Sequence, residues 1–209
     1  MIFYEPHRRD RSLLPHDPFK AIIAPRPVGW ISTTGPDGAV NLAPYSFFNA
    51  VCEAPIMLAF SSQGPKHSAT FAGAAQEFVW NLATWDLREA MNDSSAPLPH
   101  GQSEFEHAGL EMAESRIVAA PRVAASPCSM ECRVVQALEL RDLDGREVDQ
   151  YLVIGQVVGV HLDPRYVVDG QVDTAALRPV ARCGYLGEYA VVESLFHMGR
   201  PRGAEPPGF

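Results

Sequence analysis

The segment Gly35-Pro36-Asp37-Gly38 separates two runs rich in β-forming residues, 28–34 (VGWISTT) and 39–46 (AVNLAPYS). Proline presets one backbone dihedral of a turn, and Asp-Gly tolerates the left-handed region, so the two runs are predicted to form a β-hairpin. The pattern repeats along the chain. Strands are predicted at 56–61 (IMLAFS), 77–84 (EFVWNLAT), 130–140, 151–163 and 189–192, with Asp144-Gly145 as the turn between the two long ones. The second strand is expected to continue irregularly through 47–51. Pro44 lacks an amide hydrogen and is therefore expected at a bulge, a bend or a sheet edge. Helical character is confined to 66–76, with His67 or Ser68 near its start, and to 86–92, with Asp86 as its cap. Residues 93–109 (DSSAPLPHGQSEFEHAG) are polar and proline-interrupted and are predicted to be a long loop, suited to covering a ligand. Many closely spaced strands with few helices predict a mainly β, antiparallel barrel occupying one domain over 1–209. Its ends, 1–18 and 199–209, are expected to be flexible.

Bulk properties limit the functions open to such a barrel. The chain has 209 residues, of which 46% are hydrophobic and 20% charged, which suits a packed globular domain. No apolar run approaches the roughly 20 residues needed to span a bilayer, and the N-terminal stretch lacks the apolar centre of a secretory signal. The expectation is a cytoplasmic protein without membrane contact. A net charge of −8 disfavours nucleic acid as a partner. Of the four cysteines, only Cys128 and Cys132 are close, and their spacing is not that of a zinc ribbon. The seven histidines are scattered, so no metal site is expected. Serine-nucleophile, P-loop, zinc-protease and dinucleotide motifs are absent.

Three stretches could carry chemistry. In 43–49 (APYSFFN), Tyr45, Phe47 and Phe48 are interleaved with Ser46 and Asn49. Aromatic walls with a few polar groups suit a planar ligand, and the competing reading is ordinary core. In 61–70 (SSQGPKHSAT), Ser61, Ser62, Lys66, Ser68 and Thr70 surround a predicted helix start. Hydroxyls, a cation and free helix amides can hold a phosphate, while a routine capped turn explains the same residues equally well. In 25–32 (PRPVGWIS), Arg26 is held between two prolines and could present a fixed guanidinium, or it could simply lie at the surface where a strand begins.

With these stretches in view, the chain resembles the flavin reductase-like family of FMN-binding split β-barrels. The resemblance rests on PRPVGWISTTGPDGAVNLAPYSFFNAV, APIMLAFSS with KHSATFAGAAQEFVWNLAT, MNDSSAPLP through CSMECRV, LVIGQVVGVHLD and LRPVARCGYLGEYA, and covers about 19–195. It implies FMN rather than FAD, bound without a covalent link at a homodimer interface. Ser46, Phe47, Phe48 and Asn49 then correspond to the segment lining the flavin ring. Ser61, Ser62, Lys66, Ser68 and Thr70 correspond to the phosphate turn, and Arg26 and Trp30 are neighbours. Arg182 and Tyr189 complete the pocket. His67 stands where the family often has an acidic residue.

The implied activity is that of an NAD(P)H-dependent flavin oxidoreductase, or of a flavoprotein oxygenase relative, with a nicotinamide nucleotide as co-substrate. No separate catalytic residue is assigned, because the flavin itself carries the redox chemistry. Two alternatives remain open. One is a non-enzymatic flavin carrier or electron-transfer protein. The other is a dimeric barrel scaffold without flavin.

Overall fold

The computed structural model describes residues 1–99 and 101–199. In chain order the strands are β1 (Arg26–Pro27), β2 (Gly29–Thr34), β3 (Val40–Tyr45), β4 (Phe48–Glu53), β5 (Ile56–Gln63), β6 (Glu77–Asn81), β7 (Met112–Ala113), β8 (Arg122–Val123), β9 (Cys128–Arg141), β10 (Glu147–Leu162), β11 (Val167–Val168), β12 (Gln171–Val172), β13 (Val180–Arg182) and β14 (Tyr189–Val191). The helices are α1 (Phe19–Ile22), α2 (His67–Ala75), α3 (Arg88–Asp93), α4 (Glu104–His107) and α5 (Thr174–Leu177).

Seven strands form one antiparallel sheet in the order β3-β2-β6-β9-β10-β5-β4. Its two edge strands, β3 and β4, are joined only by Ser46 and Phe47. Three Cα steps reach at most about 11 Å. The opposite edges of a flat seven-stranded sheet would lie about 29 Å apart. The short link therefore forces the sheet to curl until its edges meet, which makes it a barrel. A smaller sheet, β1-β13-β14, stands beside it.

Alternation along β2 divides the core. Trp30 joins Val28, Leu42, Met91, Phe105 and Val123 on one side. Its neighbour Ile31 joins Phe60, Phe78, Cys132 and Val153, with Ala69 and Ala72 of α2 packed on them, on the other. Gly155 of β10 is obligatory for this packing, because a Cβ there would strike the Phe78 ring. All four cysteines are free, and burial pushes the Cys132 thiol pKa up.

Several expectations change. Residues 47–51 do not prolong the second strand; Phe47 belongs to the link, and 48–51 open β4, at the opposite edge. Pro44 does lie on an edge strand. His67 and Ser68 do stand at the start of α2, as expected; Lys66 is the N-cap residue and gives no side-chain cap. Asp86 does not cap α3, whose N-cap is Leu87. The stretch 93–109 is not one continuous loop, because Ser103 accepts the Phe105 amide and starts α4, whose Phe105 enters the core. His100 and residues 200–209, which include nearly all of the predicted flexible tail, lie outside the described residues.

Candidate functional site

A groove follows the edge strand β3. One end is a cavity of about 380 Å³ bordered by Asn41, Tyr45, Lys66, His67, Ser95 and Glu104, among others. The other is a cavity of about 420 Å³ bordered by Tyr45, Ser46, Asn92, Ser95, Arg182 and Tyr189, among others. Pro44, Tyr45 and Ser95 border both, so the two are one groove that passes over Tyr45.

Sequence and strand geometry together place these groups. In β3, Asn41 and Leu42 are buried and point to opposite faces, which brings the Asn41 amide against α2. Asn41 Nδ2 donates to Ser68 Oγ at 2.6 Å. Burial pushes the Tyr45 phenol pKa up, and hydrogen bonds to Ser68 and Ser62 partly oppose this, so the hydroxyl is protonated at neutral pH. Tyr45 also tilts against Phe60, with ring centroids 5.1 Å apart. Its ring is thus packed on Phe60, and its hydroxyl lies beside Ser62 and Ser68.

At the first end, α2 begins beside Lys66 with no side-chain cap. First-turn amides of a helix have no carbonyl partner within that helix and carry partial positive charge. Together with the Lys66 ammonium they are groups of the kind that can hold an anion. At the second end, the Arg182 guanidinium lies over the Tyr189 ring, 4.6 Å from its centroid. β13 and β14 pair these two residues directly, so the sheet register itself builds the stack.

Of the residues singled out in the sequence, Lys66 and Ser46 border the groove of the single chain, as do Arg182 and Tyr189. Ser62 and Ser68 are each 1% exposed and lie beside the Tyr45 hydroxyl. Ser61 Oγ accepts from Gln150 Nε2 at 2.6 Å, and the Thr70 hydroxyl donates to the Pro65 carbonyl at 3.0 Å. Phe48 stacks on Trp80, with centroids 5.8 Å apart. Phe47 is exposed and packs edge-on against Phe19. Asn49 is exposed, and its Oδ1 accepts from the Ala50 amide at 2.8 Å.

Trp30 and Arg26 sit elsewhere. Trp30 is 0% exposed and donates Nε1–H to Ser94 Oγ at 2.9 Å; it is core. Arg26 is buried and donates to the Lys20 and Ile23 carbonyls, so its guanidinium pins α1 instead of lying at the surface. Sequence reading missed Asn41 and Glu104 as groove residues. The available signal was a polar side chain at a strand position with an apolar neighbour, and an acidic residue just after a capping serine.

A curled antiparallel sheet with a polar groove on its edge, lined by Lys66 at one end and by Arg182 and Tyr189 at the other, is the architecture of a split barrel. The chain belongs to the flavin reductase-like family of split-barrel flavoproteins, whose domain, described as a flavin reductase like domain, matches residues 23–173. An uncharacterised protein of Deinococcus radiodurans is 37% identical over 192 residues, covering 86% of this chain and 82% of that protein. The crystal structure of nitrilotriacetate monooxygenase component B from Bacillus cereus superposes with a TM-score of 0.86 at 28% identity, over 95% of this chain and 98% of that one. Flavoredoxin of Desulfovibrio vulgaris (Miyazaki F) shares the fold, with a TM-score of 0.76 at 18% identity over 87% of this chain and 94% of that one. Among the described residues, no helix is long and apolar enough to cross a membrane, and no cluster of side chains could hold a metal ion.

Proposed function

We propose that this chain binds FMN in the groove along β3 and acts as an NAD(P)H-dependent flavin oxidoreductase, working as a homodimer. The observation that carries this reading is the continuity of the groove from the first turn of α2, past Tyr45, to Arg182 and Tyr189. The donors fit the ligand. Lys66 and the α2 amides match a phosphate. Ser46, Arg182 and Tyr189 match the polar edge and the face of a heterocycle. When bound, FMN supplies hydride acceptance from a nicotinamide and onward transfer of the electrons. The chain's own residues hold, orient and partly enclose it. Ser62 and Ser68, the latter bonded to Asn41, lie beside the Tyr45 hydroxyl between the two ends.

Homodimerisation is supported by the edge at β4 and β5. Phe47, Val51 and Ile56 are exposed there, and Phe19 and Ile22 of α1 are exposed as well. Exposed apolar side chains gathered on a sheet edge favour cover by a partner. The 28% identity to one component of a monooxygenase supports a role in which reduced flavin serves oxygen chemistry.

Steady-state oxidation of NADH and NADPH with added FMN tests the activity, and light scattering tests the assembly. Turnover of at least one nucleotide, by a particle of about twice the 22.8 kDa chain mass, is expected. Tight FMN binding without oxidation of either nucleotide would instead identify a flavin carrier.

A further inference from the structure

The cavity at the Lys66 end of the groove contains a feature that neither a phosphate nor an aromatic ring explains. Glu104 is only 6% exposed, yet it borders the cavity. Its Oε2 accepts the Leu42 amide at 3.0 Å. Among the described residues it has no ion pair, and Oε1 receives no protein donor. Asn41, 5% exposed, borders the same cavity; its Nδ2 is committed to Ser68, which leaves its carbonyl oxygen as an acceptor.

A buried carboxylate without a cation is costly unless donors reach it. An ionised phosphate cannot supply them, because its oxygens are acceptors and carry no donor hydrogen. An aromatic face cannot supply them either. Neutral hydroxyl groups can, since each O–H donates to a carboxylate in a short, charge-assisted bond. On the same cavity, Lys66 marks the end suited to negative charge. Glu104 also lies close enough to Tyr45, which borders both cavities, to act on its phenol electrostatically, so the acceptors suit the stretch of ligand between an anionic end and a ring.

We infer that Glu104, assisted by the Asn41 carbonyl, is a specificity-determining residue that accepts hydrogen bonds from the hydroxyl-bearing chain of the flavin. The inference rests on the flavin reading above and adds to it a residue and a ligand chemistry. A purely structural role for Glu104 would be to satisfy the outward amide of Leu42 on the edge strand. Glu104→Gln separates the two roles, because the amide oxygen still serves Leu42 while the charge is lost.

The experiment is fluorescence titration of the full chain and of Glu104→Gln with FMN, riboflavin and lumiflavin, which has the ring but no hydroxyl chain. The substitution should weaken FMN and riboflavin by about five- to tenfold and leave lumiflavin unchanged. Equal losses for all three, or no loss for any, would overturn the assignment. Wild-type protein offers the same test without mutation, because riboflavin should bind more tightly than lumiflavin; equal affinities would also overturn it. Wild-type protein that binds none of the three would overturn the flavin reading itself, and this inference with it.

Discussion

Asn41 and Ser68 are joined by a 2.6 Å hydrogen bond that ties the edge strand β3 to the first turn of α2. Ser68 also lies beside the Tyr45 hydroxyl. In the function proposed above, this bond would help to fix the separation of the phosphate end and the ring end of the groove. Such preorganisation favours binding of a rigid ring with a flexible phosphorylated chain.

Lys66 is exposed at the end of the groove, where α2 starts. Lys66→Ala should weaken FMN binding by about tenfold and riboflavin binding hardly at all. Solvent screening keeps the loss near the lower end for a charge-assisted contact. Fluorescence titration with both flavins checks this, and equal losses would remove Lys66 from the phosphate site.

Asn49 separates a ligand contact from a fold contact. Its side chain is exposed and accepts only from the adjacent Ala50 amide. Asn49→Ala should therefore leave the melting temperature of flavin-free protein nearly unchanged while lowering flavin affinity. A lowered melting temperature with an unchanged dissociation constant would make Asn49 structural.

Gly29 lies under Phe48, and a Cβ there would come within 2.7 Å of the ring. That ring is already stacked on Trp80 and cannot withdraw freely. Gly29→Ala should cost about 1–3 kcal/mol by overpacking, read from chemical denaturation. A change below about 0.5 kcal/mol would show that the β4 edge yields easily.

Glu131 is fully buried and accepts from the amides of Arg116, Ile117 and Val118 at 2.8, 2.6 and 3.0 Å and meets His161 Nε2 at 2.5 Å. Burial alone would raise its pKa, but these donors outweigh it and hold the carboxyl at about 2, against an ordinary 4.5. A depressed folded-state value stabilises the fold above the ordinary pKa, and this contribution is lost as pH falls from about 4.5 towards 2. Its ceiling is about 3 kcal/mol. Glu131→Gln should lose up to that amount at pH 7 and show a flatter stability profile between pH 4.5 and 2. Parallel profiles for the variant and the wild type, from urea unfolding across that range, would contradict the account.

Local dihedral chemistry made part of the fold legible. Pro36, Asp37 and Gly38 dictate a turn wherever they occur, and β2 pairs with β3 across it. The long pair β9 and β10 was visible as apolar runs, but their 14 and 16 residues extend past those runs, because ladder pairing continues into polar ends. Closure of the barrel was expected from the strand count, yet its cause was not visible: only the sheet order shows that Ser46 and Phe47 bridge opposite edges. The four-residue helix α4 was hidden because its stability comes from burying Phe105, not from its own propensity. The site divides in the same way. Lys66 and Ser46 were found because turns and irregular strands advertise polar groups. Asn41 and Glu104 read as strand and loop, since their role depends on partners far away in sequence.

The central claim is that the groove along β3 holds one FMN per chain. Titrating a fixed concentration of FMN with purified protein, followed by flavin fluorescence, tests it directly. The account predicts a saturable change with an end point at one flavin per 22.8 kDa chain. Flavin fluorescence that stays unchanged at protein concentrations far above that of FMN, with all flavin recovered free after gel filtration, would contradict it.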